Sequence, residues 1–96
     1  MTNNLQDLRK QIDEADQQWL SALARRFAVT KQVGELKSAN NMPLVDPDRE
    51  ARQMAHIAEI AKEHGVNPKL AQDILRLIID EVVKNHSAIR ESQHGK

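Results

Sequence analysis

The 96-residue chain has no cysteine, three glycines, three prolines, and no excess of charge of either sign: 14 lysines and arginines stand against 14 aspartates and glutamates. Each shortage removes a class of function. Without cysteine there is neither a disulfide scaffold nor thiolate chemistry, and the composition suits a reducing compartment, so a cytoplasmic location is expected. Zero net charge, with no basic run at either end, lacks the electrostatic footprint of a nucleic-acid or anionic-membrane binder. Glycines at positions 34, 65 and 95 alone cannot build a phosphate-cradling loop. The histidines, His56, His64, His86 and His94, form no i,i+4 pair, so no metal site is expected. The longest apolar run, Ile74 to Ile79, is short and broken by Arg76, and the opening MTNNLQDLRK is polar; neither a membrane span nor a signal peptide is expected. No nucleophile and base stand out together. An enzyme made from this chain would work with cations, one or two acids and shape, which suits a reaction with no covalent intermediate and no cofactor.

What is present is helical periodicity. From Asn4 to Lys37 there is no proline, and Leu8, Ile12, Ala15, Trp19, Ala22, Val29 and Val33, flanked by Leu20, Leu23 and Phe27, recur at the three-to-four spacing of one broad apolar stripe. Asn3 or Asn4 can cap this helix, and Asp7 in its first turns suits the dipole. Such a helix extends roughly 50 Å, longer than a globule of this size is wide. The rest of the chain is too short to cover it, so a single domain over residues 1–96 that pairs with a second copy is expected.

Arg26 falls inside the apolar stripe, where a charge requires an anionic partner or must snorkel to solvent along its stem. Lys37, eleven residues on, projects within roughly 20° of it and about 16 Å along the axis, so the two can grip one small anion. Arg9 lies roughly 25 Å from Arg26 and about 100° around the helix, out of reach of the same site within one chain. An antiparallel second copy could bring its Arg9 there, and two-fold symmetry would then create two equivalent sites.

The period is lost over Ser38 to Val45, read as a loop. A second helix opens at Asp46-Pro47, closes near His64-Gly65, and carries Met54, Ile57, Ala58 and Ala61 as its stripe. Projected back one turn, that stripe meets Glu50, one turn beyond Asp46 and beside Arg49; an N-cap aspartate and a first-turn glutamate are common as purely structural helix-start residues, and the same two acids can serve a site. A third helix opens at Asn67-Pro68, with Leu70, Ile74, Leu77, Ile78, Val82 and Ile89 as its apolar row. His86 lies one turn past Val82, in a place that suits packing as well as chemistry. Asn85 and Arg90 are expected in solvent, and Glu91 to Lys96 frayed.

Taken together, Leu8-Arg9-Lys10-Gln11-Ile12-Asp13, Ala24-Arg25-Arg26, Val33-Gly34 with Lys37, Asp46-Pro47-Asp48-Arg49-Glu50 and Leu77-Ile78-Ile79 resemble the small all-helical bacterial type of chorismate mutase, from Leu5 to about Ser92. The resemblance implies an all-α fold of one long and two shorter helices per chain, intertwined in a homodimer whose two sites each take an arginine from the other subunit. It implies that Arg9 of the partner subunit and Arg26 hold the carboxylates of a small dianionic substrate. Lys37 would bond a carboxylate and the ether oxygen. Asp46, chiefly through its backbone amide, and Glu50 would receive the ring hydroxyl, with Arg49 ordering the wall. Two positions depart from the family pattern: Val82 stands where a small hydroxyl residue is common, and His86 where a glutamine reaches the ether oxygen. The implied catalytic groups are therefore Lys37, Glu50 and His86, acting without cofactor or metal.

Three competing readings accompany this one. Isochorismate pyruvate lyase shares the fold, but typically lacks acids at the positions of Asp46 and Glu50. A mutase of 4-amino-4-deoxychorismate would pair a ring amine with Glu50. A non-catalytic helical dimerisation module would leave Arg26 and Lys37 as ordinary surface or paired charges.

Overall fold

The computed structural model describes residues 4–94. It consists of three helices, α1 (Leu5–Ala39), α2 (Pro47–Glu63) and α3 (Pro68–His94), and no strand occurs among the described residues. The all-α, three-helix expectation holds. The chain divides into two units, one ending at Thr30 and one beginning at Lys31.

The first unit is the N-terminal stretch of α1. Asn4 caps it, its Oδ1 accepting from the Asp7 amide at 2.9 Å, which satisfies one of the amide groups a helix start leaves over. Asn3, the other candidate cap, lies outside the described residues. The stripe expected from the sequence runs along this helix, and in the isolated chain it is open: Leu8, Ile12, Leu20 and Val29 are exposed and Trp19 is 54% exposed, with Leu23, Arg26, Phe27 and Thr30 half-buried. Burial of an apolar face, more than intrinsic propensity, is what holds a protein helix together.

The second unit contains the end of α1, all of α2 and α3. α1 runs past Lys37 to Ala39, so the loop begins at Asn40 and not at Ser38, which is fully buried within the helix. The stop is a Schellman turn. Asn41 adopts φ 54°, the Met42 amide donates to the Lys37 carbonyl at 2.8 Å and the Asn41 amide to the Ser38 carbonyl at 3.3 Å. Asparagine is one of the few side chains that takes this left-handed conformation readily. Arg90, expected in solvent, is instead part of this turn: its Nη2 donates to the carbonyls of Lys37 and Met42 at 3.1 and 2.6 Å. It lies one turn beyond His86 on the buried side of α3, so its guanidinium reaches both the Lys37 carbonyl, which the Met42 amide also bonds, and the Met42 carbonyl in the loop. Asn85 is exposed, as expected.

α2 begins as its sequence dictates, with Asp46 extended at φ −128° and ψ 94°, Pro47 in the first turn, and Asp46 Oδ1 accepting from the Arg49 amide at 3.1 Å. It ends in a second Schellman turn, in which Gly65 takes φ 69° and the Val66 amide reaches the Ala61 carbonyl at 2.8 Å; a side chain at Gly65 would strain that backbone. Asn67 caps α3 through its Oδ1, which accepts from the Lys69 amide at 2.8 Å. α3 continues through His94, so the fraying expected from Glu91 onward is not seen as far as His94, and the last two residues lie outside the described part.

α2 packs on α3 through Ala61 from one and Leu75 and Ile79 from the other, all buried, with Met54, Ile57 and Ala58 half-buried beside them. Full burial of side chains the size of Leu75 and Ile79 contributes about 1.5–3 kcal/mol each. The Gln72 amide also donates to the Met54 carbonyl at 3.2 Å. Of the expected α3 row, Ile78, Val82 and Ile89 are half-buried, but Leu70 and Ile74 are exposed and Leu77 is 71% exposed. A neighbouring apolar row about 100° around the helix holds Leu75 and Ile79, buried on the side of α2, and leads on to His86, whose ring lies against α1. No helix among the described residues is long and apolar enough to cross a membrane.

Candidate active site

Of the eight residues singled out in the sequence, Arg9 and Arg26 belong to the first unit. Arg9 is exposed and Arg26 half-buried, the difference expected of a residue beside the apolar stripe and one inside it. The other six, Lys37, Asp46, Arg49, Glu50, Val82 and His86, belong to the second unit.

Lys37 sits in the last turn of α1 and is half-buried. The turn that follows it and the Arg90 guanidinium both bond its carbonyl, so its backbone is pinned while its ammonium is left to the side chain's own reach. Asp46, Arg49 and Glu50 share the first turn of α2. The Asp46 carboxylate is used in the cap, and Arg49 is exposed, contributing its amide to that cap. Glu50 is different, because its side chain is only 20% exposed and it is tied across to α3: Arg76 Nη1 donates to Glu50 Oε1 at 3.1 Å.

Arg76 was legible in the sequence only as the break in an apolar run. In the structure it is the hub of a three-residue network, its Nε and Nη2 donating to Asp80 Oδ1 at 3.0 and 2.8 Å while Nη1 faces Glu50. The bond to Asp80 first, and that to Glu50 second, raise the Arg76 pKa further above its already high value, so this guanidinium is charged at any working pH. The i,i+4 spacing to Asp80 could have been read from the sequence. The link to Glu50, 26 positions away, could not.

Val82 is half-buried on α3, and His86, one turn on, is 3% exposed. The ring of His86 lies against the one glycine of α1. A Cβ placed on Gly34 would stand 2.9 Å from Nε2 and closer still to Cδ2, so the absence of a side chain at Gly34 is what lets the imidazole approach that helix. Replacing Gly34 with alanine would gain up to about 1 kcal/mol of helix propensity but force the buried ring or the helix backbone to move, at about 1–3 kcal/mol. The clash outweighs the gain. Gly34→Ala is therefore expected to lower the urea midpoint at fixed protein concentration, and His86→Ala in the same chain to restore part of the loss. A Gly34→Ala midpoint at or above that of the wild type would show that the contact is slack.

The family model described as chorismate mutase type II matches residues 8–87. The chorismate mutase of Methanocaldococcus jannaschii is 34% identical over 80 residues, covering 83% of this chain and 81% of that protein. The T-protein of Enterobacter agglomerans is 40% identical over 81 residues, 84% of this chain but 22% of the much longer relative. The 4-amino-4-deoxychorismate mutase of Streptomyces pristinaespiralis is 31% identical over 83 residues, 86% of this chain and 64% of that protein. The match of the family model runs from the first turns of α1 to Ser87 in α3 and takes in all eight site residues, so this chain belongs to the chorismate mutase type II family.

Proposed function

We propose that the protein is a chorismate mutase, an isomerase that converts chorismate to prephenate, working as a homodimer with two sites shared between subunits. The observation that carries this reading is the family match over residues 8–87, which spans Arg9, Arg26, Lys37, Asp46, Arg49, Glu50, Val82 and His86 together. In this rearrangement the ether C–O bond breaks as a C–C bond forms within one molecule, and no proton or group leaves. Catalysis therefore consists of holding the compact reactive conformer and stabilising the negative charge that grows on the ether oxygen.

Arg26 and Arg9 of the partner subunit bind the two carboxylates. Lys37 bonds one carboxylate and the ether oxygen, held in register by a backbone that Arg90 and the Schellman turn fix. Glu50 accepts from the ring hydroxyl. Asp46 offers its backbone amide there, since its carboxylate closes the cap, and Arg49 orders the adjoining wall. His86 stands in for the glutamine that resemblance places at the ether oxygen, and Val82 leaves one carboxylate without a hydroxyl partner. The open stripe of α1, with Trp19 half-exposed, supports a second copy as the missing cover. The whole chain then acts as one chorismate mutase-like domain, with a composition that suits the cytoplasm.

Incubating the purified protein with chorismate, isochorismate and 4-amino-4-deoxychorismate separately, and following substrate loss and product identity, tests this reading. Prephenate from chorismate at the highest kcat/KM of the three is expected. Salicylate and pyruvate from isochorismate would replace the reading with the lyase, and no turnover of any substrate would leave the dimerisation module.

A further inference from the structure

We infer that Arg76 is the residue that sets the preference of the site for a neutral ring substituent over a cationic one, an inference that rests on the chorismate mutase reading and on Glu50 receiving that substituent. The guanidinium is anchored to Asp80 by two of its nitrogens, at 3.0 and 2.8 Å, and presents the third to Glu50 Oε1 at 3.1 Å. A planar fork held at two points has little freedom in the direction of the third. Glu50, carried by α2, is thus oriented from α3 by a group that does not itself have to touch substrate, which makes Arg76 a positioning residue.

The same contact determines how much negative charge Glu50 can offer. A ring hydroxyl asks only for one acceptor oxygen, which a carboxylate already sharing a cation still supplies. A ring amine is an aliphatic amine and is protonated near neutral pH. It arrives as a second cation beside Arg76, at about 6 Å, where the repulsion at a water-like dielectric corresponds to roughly threefold in affinity, and more where water is excluded. Arg76 is 45% exposed in its side chain, which places the effect toward the weaker end. This chain has a 4-amino-4-deoxychorismate mutase among its relatives, and the pairing of Glu50 is a physical reason for it to select the hydroxyl instead.

The experiment measures kcat/KM for 4-amino-4-deoxychorismate and for chorismate in the wild type, Arg76→Gln, Arg76→Met and Arg76→Lys, and takes the ratio of the two within each preparation, so that partial unfolding cancels. Both neutral variants are expected to lose activity toward chorismate and to move the ratio toward the amine by roughly three- to tenfold. Arg76→Lys keeps the charge but not the fork, and is expected to lose activity toward chorismate while holding the wild-type ratio. Equal loss on both substrates in the neutral variants, or a shift in Arg76→Lys as large as theirs, overturns the inference while leaving the mutase reading intact. A wild type that turns over neither substrate removes that reading and this inference with it.

Discussion

Lys37→Ala is expected to lower kcat/KM for chorismate by about 100- to 1,000-fold, the scale measured when one preorganised donor to a developing oxyanion is removed, equivalent to about 2.7–4 kcal/mol. The fall should appear mainly in kcat, because the proposed bond to the ether oxygen would strengthen as charge develops there, whereas the proposed bond to a carboxylate would be present throughout. Structure is expected to survive the change. The fixed contacts of Lys37 are made by its carbonyl, which accepts from the Met42 amide and from Arg90, and alanine keeps that carbonyl. Circular dichroism should therefore show unchanged helical content. Near-normal kcat/KM in a folded Lys37→Ala protein would remove Lys37 from the mechanism and leave it as a half-buried residue of the last turn of α1.

Mixing two inactive variants is expected to restore activity. Arg9→Ala and Arg26→Ala chains should each be nearly inactive alone, since under the proposed shared-site arrangement each would lack one grip on the dianion in both sites. In a mixed dimer both lesions fall in one site, and the other site has Arg26 from one chain and Arg9 from its partner. Random exchange of equal amounts makes about half of the dimers mixed, with one intact site in two, so roughly a quarter of wild-type activity should return. Exchange is to be verified first, for example by mass-labelled subunits. Failure to recover activity after verified exchange would place Arg9 outside the partner's site. The motivation is on α1 itself: Arg9 is exposed, and so is the apolar row from Leu8 to Val29 that a second copy would cover.

The sequence by itself determined the elements of this protein and where they start. Asn4, Asp46-Pro47 and Asn67-Pro68 cap α1, α2 and α3 as local rules require, because a cap involves only three or four consecutive residues. The family, too, was legible from short motifs in order, confirmed by the match over residues 8–87. The end of α1 was misplaced by two residues, since the left-handed turn at Asn41 depends on carbonyls and on an arginine far along the chain.

Four features were decided by tertiary structure alone. Which of the two apolar rows of α3 is buried depends on how α2 lies against it, and periodicity cannot separate rows that both have helical spacing; Leu75 and Ile79 went inside and Leu77 stayed out. The roles of Gly34, which admits the His86 ring, and of Arg90, which holds the Lys37 carbonyl, join positions about fifty residues apart. Arg76 and Glu50 likewise join positions 26 apart. Each is a contact between side chains or backbone groups on different helices, and such contacts leave no periodic trace in the order of residues: they exist only once burial of the apolar rows has brought the helices together.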